Sequence, residues 1–199
     1  QRGKKKELLV VQDEHARLKL HWRLAQGPAR SQDVYAYLLE AFSRYGPPLV
    51  LKHDGDAIFH KARIAALLRR HQVVELTVPR GYPRYNGKQE RSMRDIKSYE
   101  RAMRRHGIGG SLEDRLNITL TDLNEERPRP ILGGRTAAEV YRDRKDPLPD
   151  RKMFIRSVNE EEARLISEAT SRREARSARR RAIENVLVRD GLMVIEGAM

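Results

Sequence analysis

The sequence predicts an α/β fold, a mixed sheet flanked by helices, followed by a basic helical C-terminal extension. Three observations carry that expectation. Short apolar runs and helical repeats follow one another in the order strand, strand, helix, strand, helix, strand, then helices only. The first two strands are separated by a short polar turn, so they form a hairpin and make the sheet mixed rather than purely parallel. Between Asp143 and Asp150 the composition turns to proline and charge, which places a boundary between a core over residues 1–145 and an extension over 146–199.

The elements follow in order. Glu7 to Gln12 is a short apolar run that predicts a buried strand, and Leu18 to Leu24 alternates with the period of a half-buried one. Ser31 is placed to cap a helix carrying Val34, Leu38, Leu39 and Phe42, and Gly46-Pro47-Pro48 ends it. Leu49 to Asp54 predicts a third strand. Asp56 is placed to cap a helix bearing Ile58, Phe59, Ala62, Ala65 and Leu68, and Val73 to Val78 predicts a fourth strand. The loop over 79–87 holds two prolines, two glycines and an asparagine, and a long polar helix runs from about Lys88 to Arg105. Ser111 caps a helix with Leu112, Leu116, Leu120 and Leu123 on one face, and Thr136 to Arg142 forms a short one. In the extension, Asn159 is placed to cap an acid-first, base-last helix, which suits the helix dipole. Val186 to Ile195, with Asp190-Gly191 between two apolar runs, predicts a terminal hairpin. Trp22 is expected in the core.

A chain of 199 residues accommodates one ordinary domain with an appendage. Its 41 Lys and Arg against 28 Asp and Glu leave a formal charge of +13, which points to nucleic acid or another anionic partner. There are no cysteines, so disulfide scaffolds, cysteine zinc sites and thiol nucleophiles are excluded. No apolar stretch approaches the ~18 residues of a membrane span, and a membrane is not an expected partner. The first residue is Gln1, so the chain is expected to be processed or cut from something longer.

Two acids stand where chemistry is expected. Asp54 ends an apolar run beside Gly55, and ligands gather at strand ends in α/β sheets. Glu90 lies in the first turn of the basic helix, with thirty-five residues between the two. Arg94 and Lys97 follow Glu90 at four and seven residues, on the same helical face. From Arg80 to Arg105 there are nine Lys or Arg and three acids. A carboxylate on such a face suggests a metal ligand beside a phosphate track, with Arg84, Lys88 and Arg91 adding to the basic side.

LKHDGDAIF (51–59), PRYNGKQER (83–91) and ERPRPILGGRTAAEVY (126–141), in that order and at that spacing, resemble the integrase core of DDE transposases and retroviral integrases, most closely the insertion-sequence transposases of bacteria. The resemblance runs from about Leu8 to Tyr141. It implies a ribonuclease H-like fold, with Asp54 and Glu90 as two of three carboxylates holding two Mg²⁺ (or Mn²⁺). The implied chemistry is attack of water or a DNA 3′-hydroxyl on a phosphodiester, cleaving mobile-element ends and joining them to a target duplex. It also implies a homo-oligomer working in the bacterial cytoplasm at the nucleoid. Two ions about 4 Å apart suit such a displacement, and positioning carries most of phosphoryl chemistry. The family's first acid sits on a strand preceding the one matched by Leu8–Gln12. It is expected upstream of Gln1, leaving the metal site of this chain incomplete. Asp13 is the one acid in a comparable place, but its surroundings resemble a hairpin turn where an Asp is not a ligand.

Plainer readings stay open beside these. Asp54 also suits a turn, with Asp56 as the alternative ligand in the HDGD turn. Glu90, Arg94 and Lys97 also suit a solvated face. Tyr82 and Tyr85 are either loop packing or platforms for bases, and the stretch from Arg172 to Arg181 is either a solvated helix or a DNA or partner surface. His53, next to Asp54, is the one histidine of the six that stands beside a candidate site. Two rival functions remain: a non-catalytic DNA-binding remnant of a transposase, and a purely hydrolytic nuclease of the same fold.

Overall fold

The computed structural model describes residues 6–79, 83–144 and 148–194. The expected hairpin is present. Strand β1 (Glu7–Gln12) pairs antiparallel with β2 (Lys19–Ala25), Leu8 opposite Leu24 and Val10 opposite Trp22. Helix α1 (Ser31–Tyr45) leads to β3 (Val50–His53), which pairs in parallel with β4 (Val74–Thr77) through α2 (Ala62–Arg70).

The expected single mixed sheet is not formed by the described residues. They make two two-stranded sheets, β1–β2 and β3–β4, with no ladder between them. Continuity would need a strand ladder between the two pairs, and none of the described residues supplies it. The two sheets nevertheless share one helical layer: Leu9 and Val11 of β1 and Leu51 of β3 pack against the cluster of Val34, Tyr37, Leu38, Ile64 and Leu67 from α1 and α2. The alternation of the strands explains the opposite side. Leu8, Val10, Trp22 and Leu24 turn to Ile96, Leu116, Leu120 and Leu123. These come from α3 (Gly87–Arg105), α4 (Leu112–Thr121) and a single π-helical turn, Asp122–Glu126.

Several starts and stops differ from expectation. Ser31 is the first residue of α1 rather than its cap; the Asp33 carboxylate accepts the Arg30 N–H at 2.9 Å and closes the end instead. Asp56 caps no helix. Its carboxylate accepts the Ile58 N–H at 2.9 Å within a turn, and α2 begins only at Ala62. Ser111 and Thr136 do cap α4 and α5 (Ala137–Arg142), each accepting the N–H three residues on.

Past residue 150 the chain forms α6 (Arg151–Ser167) and α7 (Arg172–Arg189). Asn159 lies inside α6, where it accepts from Arg179 at 2.8 Å; the cap is Asp150, which accepts the Met153 N–H. The helix begins earlier because Phe154, Val158 and Leu165 make a buried stripe at helical spacing. The expected terminal hairpin is replaced by the end of α7, since Val186 continues the buried stripe of Ala178, Ala182 and Ile183. Asp190-Gly191 stops that helix. Gly191 takes φ +70, Leu192 N–H bonds the Leu187 carbonyl and Gly191 N–H that of Val188, the Schellman pattern.

These helices are a layer of the fold. Phe154, Val158, Leu165, Ala182 and Ile183 share one core cluster with Leu49, Val74 and Leu76 of the β3–β4 half. Arg151 donates at 2.7 Å to the Pro48 carbonyl and also to that of Pro47, fastening α6 to the loop ahead of β3. The change of composition at 145/146 thus marks a polar connection, with a shared core on its two sides.

Candidate active site

Asp54 follows β3 directly, and the turn that presents it is held from behind. His53 is buried and stacked on Phe59 with ring centroids 4.1 Å apart. Its Nδ1 accepts the Gly55 N–H at 3.0 Å, so the proton resides on Nε2, which donates to Glu75 on β4 at 2.7 Å. That hydrogen bond holds the Glu75 carboxyl below its usual range. Gly55 has φ +78, and a Cβ there would meet Thr77 Cγ2 at 3.0 Å. Glycine is required for both reasons. Asp54 is left exposed, with one oxygen accepting the Asp56 N–H at 3.2 Å.

Glu90 is also exposed, one turn into α3. The structure brings it to the same place as Asp54: both line a cleft of about 840 Å³ whose walls include Leu8 of β1 and the face of α3 carrying Arg94, Lys97, Arg101 and Arg105. Positions 90, 94, 97, 101 and 105 repeat at helical spacing. The helical period that sets Arg94 and Lys97 beside Glu90 in the sequence extends to Arg101 and Arg105. Asn86 and Gln89 complete the wall near the acids.

Three other expected site residues, Lys88, Arg91 and Tyr85, do not line this cleft. Lys88 is 3.8 Å from Glu14, which also pairs with Lys52. Arg91 is exposed on a different face of α3. Tyr85 is packed rather than offered to bases. Its hydroxyl donates to Glu184 of α7, and Lys52 and Arg180 approach its ring at 5.8 and 6.0 Å. Burial and the Glu184 carboxylate push that hydroxyl well above the usual tyrosine range. Tyr82 and the Arg84 side chain lie outside the described residues. Asp13 closes the β1–β2 turn, accepting the Ala16 and His15 N–H groups and pairing with Arg144 at 3.2 Å. A turn role of this kind is what its sequence context suggested.

Exposed carboxylate oxygens of Asp54 and Glu90 are hard donors that suit a divalent cation such as Mg²⁺. Among the described residues, no group of three or more His, Asp or Glu is placed to hold a metal ion. No helix among them is long and apolar enough to cross a membrane.

No family model matches the chain, and no curated protein matches it. Solved structures do. The catalytic core of BIV integrase is 25% identical with a TM-score of 0.56, over 68% of this chain and 85% of that one. The HTLV-2 integrase core, solved in complex with magnesium in a trimeric form, has a TM-score of 0.59 at 18% identity, over 70% of this chain and 87% of that one. A chain of the simian T-cell lymphotropic virus intasome with PP2A regulatory subunit B56 gamma reaches 0.64 at 14%, over 75% and 53%. The chain has the fold of a retroviral integrase catalytic core, a mixed α/β arrangement of the ribonuclease H-like kind.

Proposed function

We propose that this chain is the core of a DNA strand-transfer enzyme of the DDE transposase and integrase class, acting on the ends of a mobile element and joining them to target DNA. One observation carries the reading: Asp54 and Glu90, with thirty-five residues between them in the chain, line one cleft walled by four bases of α3. Asp54 and Glu90 would hold the divalent cation, Mg²⁺ or Mn²⁺. When bound it would supply charge neutralisation for attack on a phosphodiester. A second ion would require a further carboxylate. Arg94, Lys97, Arg101 and Arg105 would seat successive DNA phosphates along the helix and set the scissile bond against the acids. The His53–Glu75 pair positions Asp54 by fixing the Gly55 turn. A homo-oligomer assembled on paired DNA ends in a bacterial cell fits the same reading.

Glu90→Gln tests it in a protein that carries the whole site: strand transfer should be abolished while duplex binding persists. Unchanged transfer would overturn the ligand assignment. An assay offering both a donor 3′-hydroxyl and a target duplex separates the rivals, since joined products identify a transposase and nicks alone a nuclease. The remnant reading has its own support in the two-carboxylate cleft. Binding without any metal-dependent cleavage in that fuller protein would favour it.

A further inference from the structure

A second basic cluster lies on the other flank of α3, away from the cleft. Lys19 begins β2 with only 4% of its surface exposed. The Asn124 side chain clamps its backbone, accepting the Lys19 N–H at 2.9 Å and donating to its carbonyl at 3.0 Å. The Lys19 ammonium donates to the Arg17 carbonyl at 3.2 Å. Around it stand Arg17, Arg129, Arg127 and, beyond Arg129, Arg91, with Asp95 as an opposing carboxylate. Among the described residues none of these five cations is in an ion pair, and Arg17 Nε and Arg129 Nε are buried without a hydrogen-bond partner. Burial together with the neighbouring guanidiniums pushes the Lys19 ammonium down to about 8.

Gathering like charges out of water is unfavourable, and so is leaving a buried N–H unpaired. The backbone is also specially shaped here. Arg17 adopts φ +62, a left-handed conformation uncommon for a side chain of its kind. The π-helical turn Asp122–Glu126 carries the chain from α4 round to Arg127 and Arg129, and such turns gather at functional sites. The burial is graded: Lys19 is buried, Arg17 and Arg129 are half-buried, and Arg91 and Arg127 are exposed at the rim.

We propose that Arg17, Lys19, Arg91, Arg127 and Arg129 form a binding site for a phosphate group. A tetrahedral oxyanion supplies what the cluster lacks: negative charge to balance five cations that face the single carboxylate of Asp95, and acceptors for the unpaired Nε–H groups. Guanidiniums suit it because they offer paired donors in a plane. The phosphate is either inorganic or part of a nucleic-acid backbone. Only the second source rests on the proposed function, and neither depends on Asp54 or Glu90.

The test titrates inorganic phosphate into the full chain at constant ionic strength, followed by calorimetry and thermal unfolding, beside Arg129→Gln and the rim variant Arg127→Gln. Wild type should bind saturably and gain thermal stability with occupancy. Each variant should bind about tenfold more weakly or worse, with native far-UV circular dichroism. No saturable binding to wild type, or equal binding by folded variants, overturns the proposal. A duplex arm assigns the source. A smaller salt dependence of DNA binding in Arg129→Gln supports a backbone phosphate, and an unchanged slope with lost phosphate binding supports a free one. Glu90→Gln should bind phosphate as wild type does, so failure of the strand-transfer reading and failure of this one are distinguishable.

Discussion

Phe154 tests whether the helices beyond residue 150 belong to the same cooperative unit as the strands. It is 1% exposed and packs in one cluster with Val158, Leu165 and Ile183, and with Leu49, Val74 and Leu76 on the other side of the chain's polar connection. Phe154→Ala removes a whole buried ring. Core replacements of this type cost about 3–5 kcal/mol, from lost transfer energy and the cavity left behind. A domain's total stability is about 5–15 kcal/mol, so the loss is a large share of it. For a chain of this size it corresponds to a fall in Tm of about 6–20 °C. Urea unfolding reads it with two probes, far-UV circular dichroism for the helices and the fluorescence of Trp22, the single tryptophan. Trp22 packs in a different cluster, against Ile96 and Leu116. Both midpoints should move down together. A Trp22 transition left in place while the helical signal shifts would refute a shared unit, and a loss below about 1 kcal/mol would refute the packing argument itself.

Other outcomes follow from the site. Lys97→Ala should weaken duplex binding and lower the salt slope by about one counterion; an unaltered slope means Lys97 touches no phosphate. Gly55→Ala should cost about 1 kcal/mol or more, because φ is positive and the new Cβ meets Thr77; urea midpoints equal to wild type would contradict this. The Glu75 carboxyl is held below its ordinary 4.5 by the His53 hydrogen bond. A depressed carboxyl contributes stability above the unfolded-state value and loses it as pH falls through the folded one. Glu75→Gln should therefore be less stable than wild type near neutrality, with the difference shrinking below about pH 4.5, and parallel stability curves through that range would rule the coupling out.

The four strands, the long helix α3 and the Ser111 and Thr136 caps were legible because each is written locally, as an alternation, a helical period or an N-cap residue. What escaped depends on distant partners. Asn159 has good cap chemistry, but the buried stripe from Phe154 to Leu165 pulled the helix past it. Val186 to Val194 has the pattern of a hairpin, yet Val186 faces α6 and Asp190-Gly191 ends a helix. The site divides in the same way. Asp54 and Glu90 were visible through their spacing, and the face of α3 through its period. Tyr85 looked available until Glu184, ninety-nine residues away, took its hydroxyl. Lys19 looked like any polar position of an alternating strand, and only the packing of β2 against the π-helical turn buries it among arginines.

The divided sheet has a consequence for how the backbone meets solvent. Among the described residues, β1 has β2 as its single partner and β3 has β4. One edge of each strand therefore carries amide and carbonyl groups without a ladder, although the side chains of Leu9, Val11 and Leu51 sit in the core. Side-chain burial and amide protection should be out of step here. Alternate amides of β1 and β3 should exchange with deuterium quickly while their neighbours, bonded to the partner strand, exchange slowly. The same open edges are templates for pairing with another extended segment, so at high concentration the first association of this chain should be edge to edge, with slowed exchange at β1 and β3 as its mark.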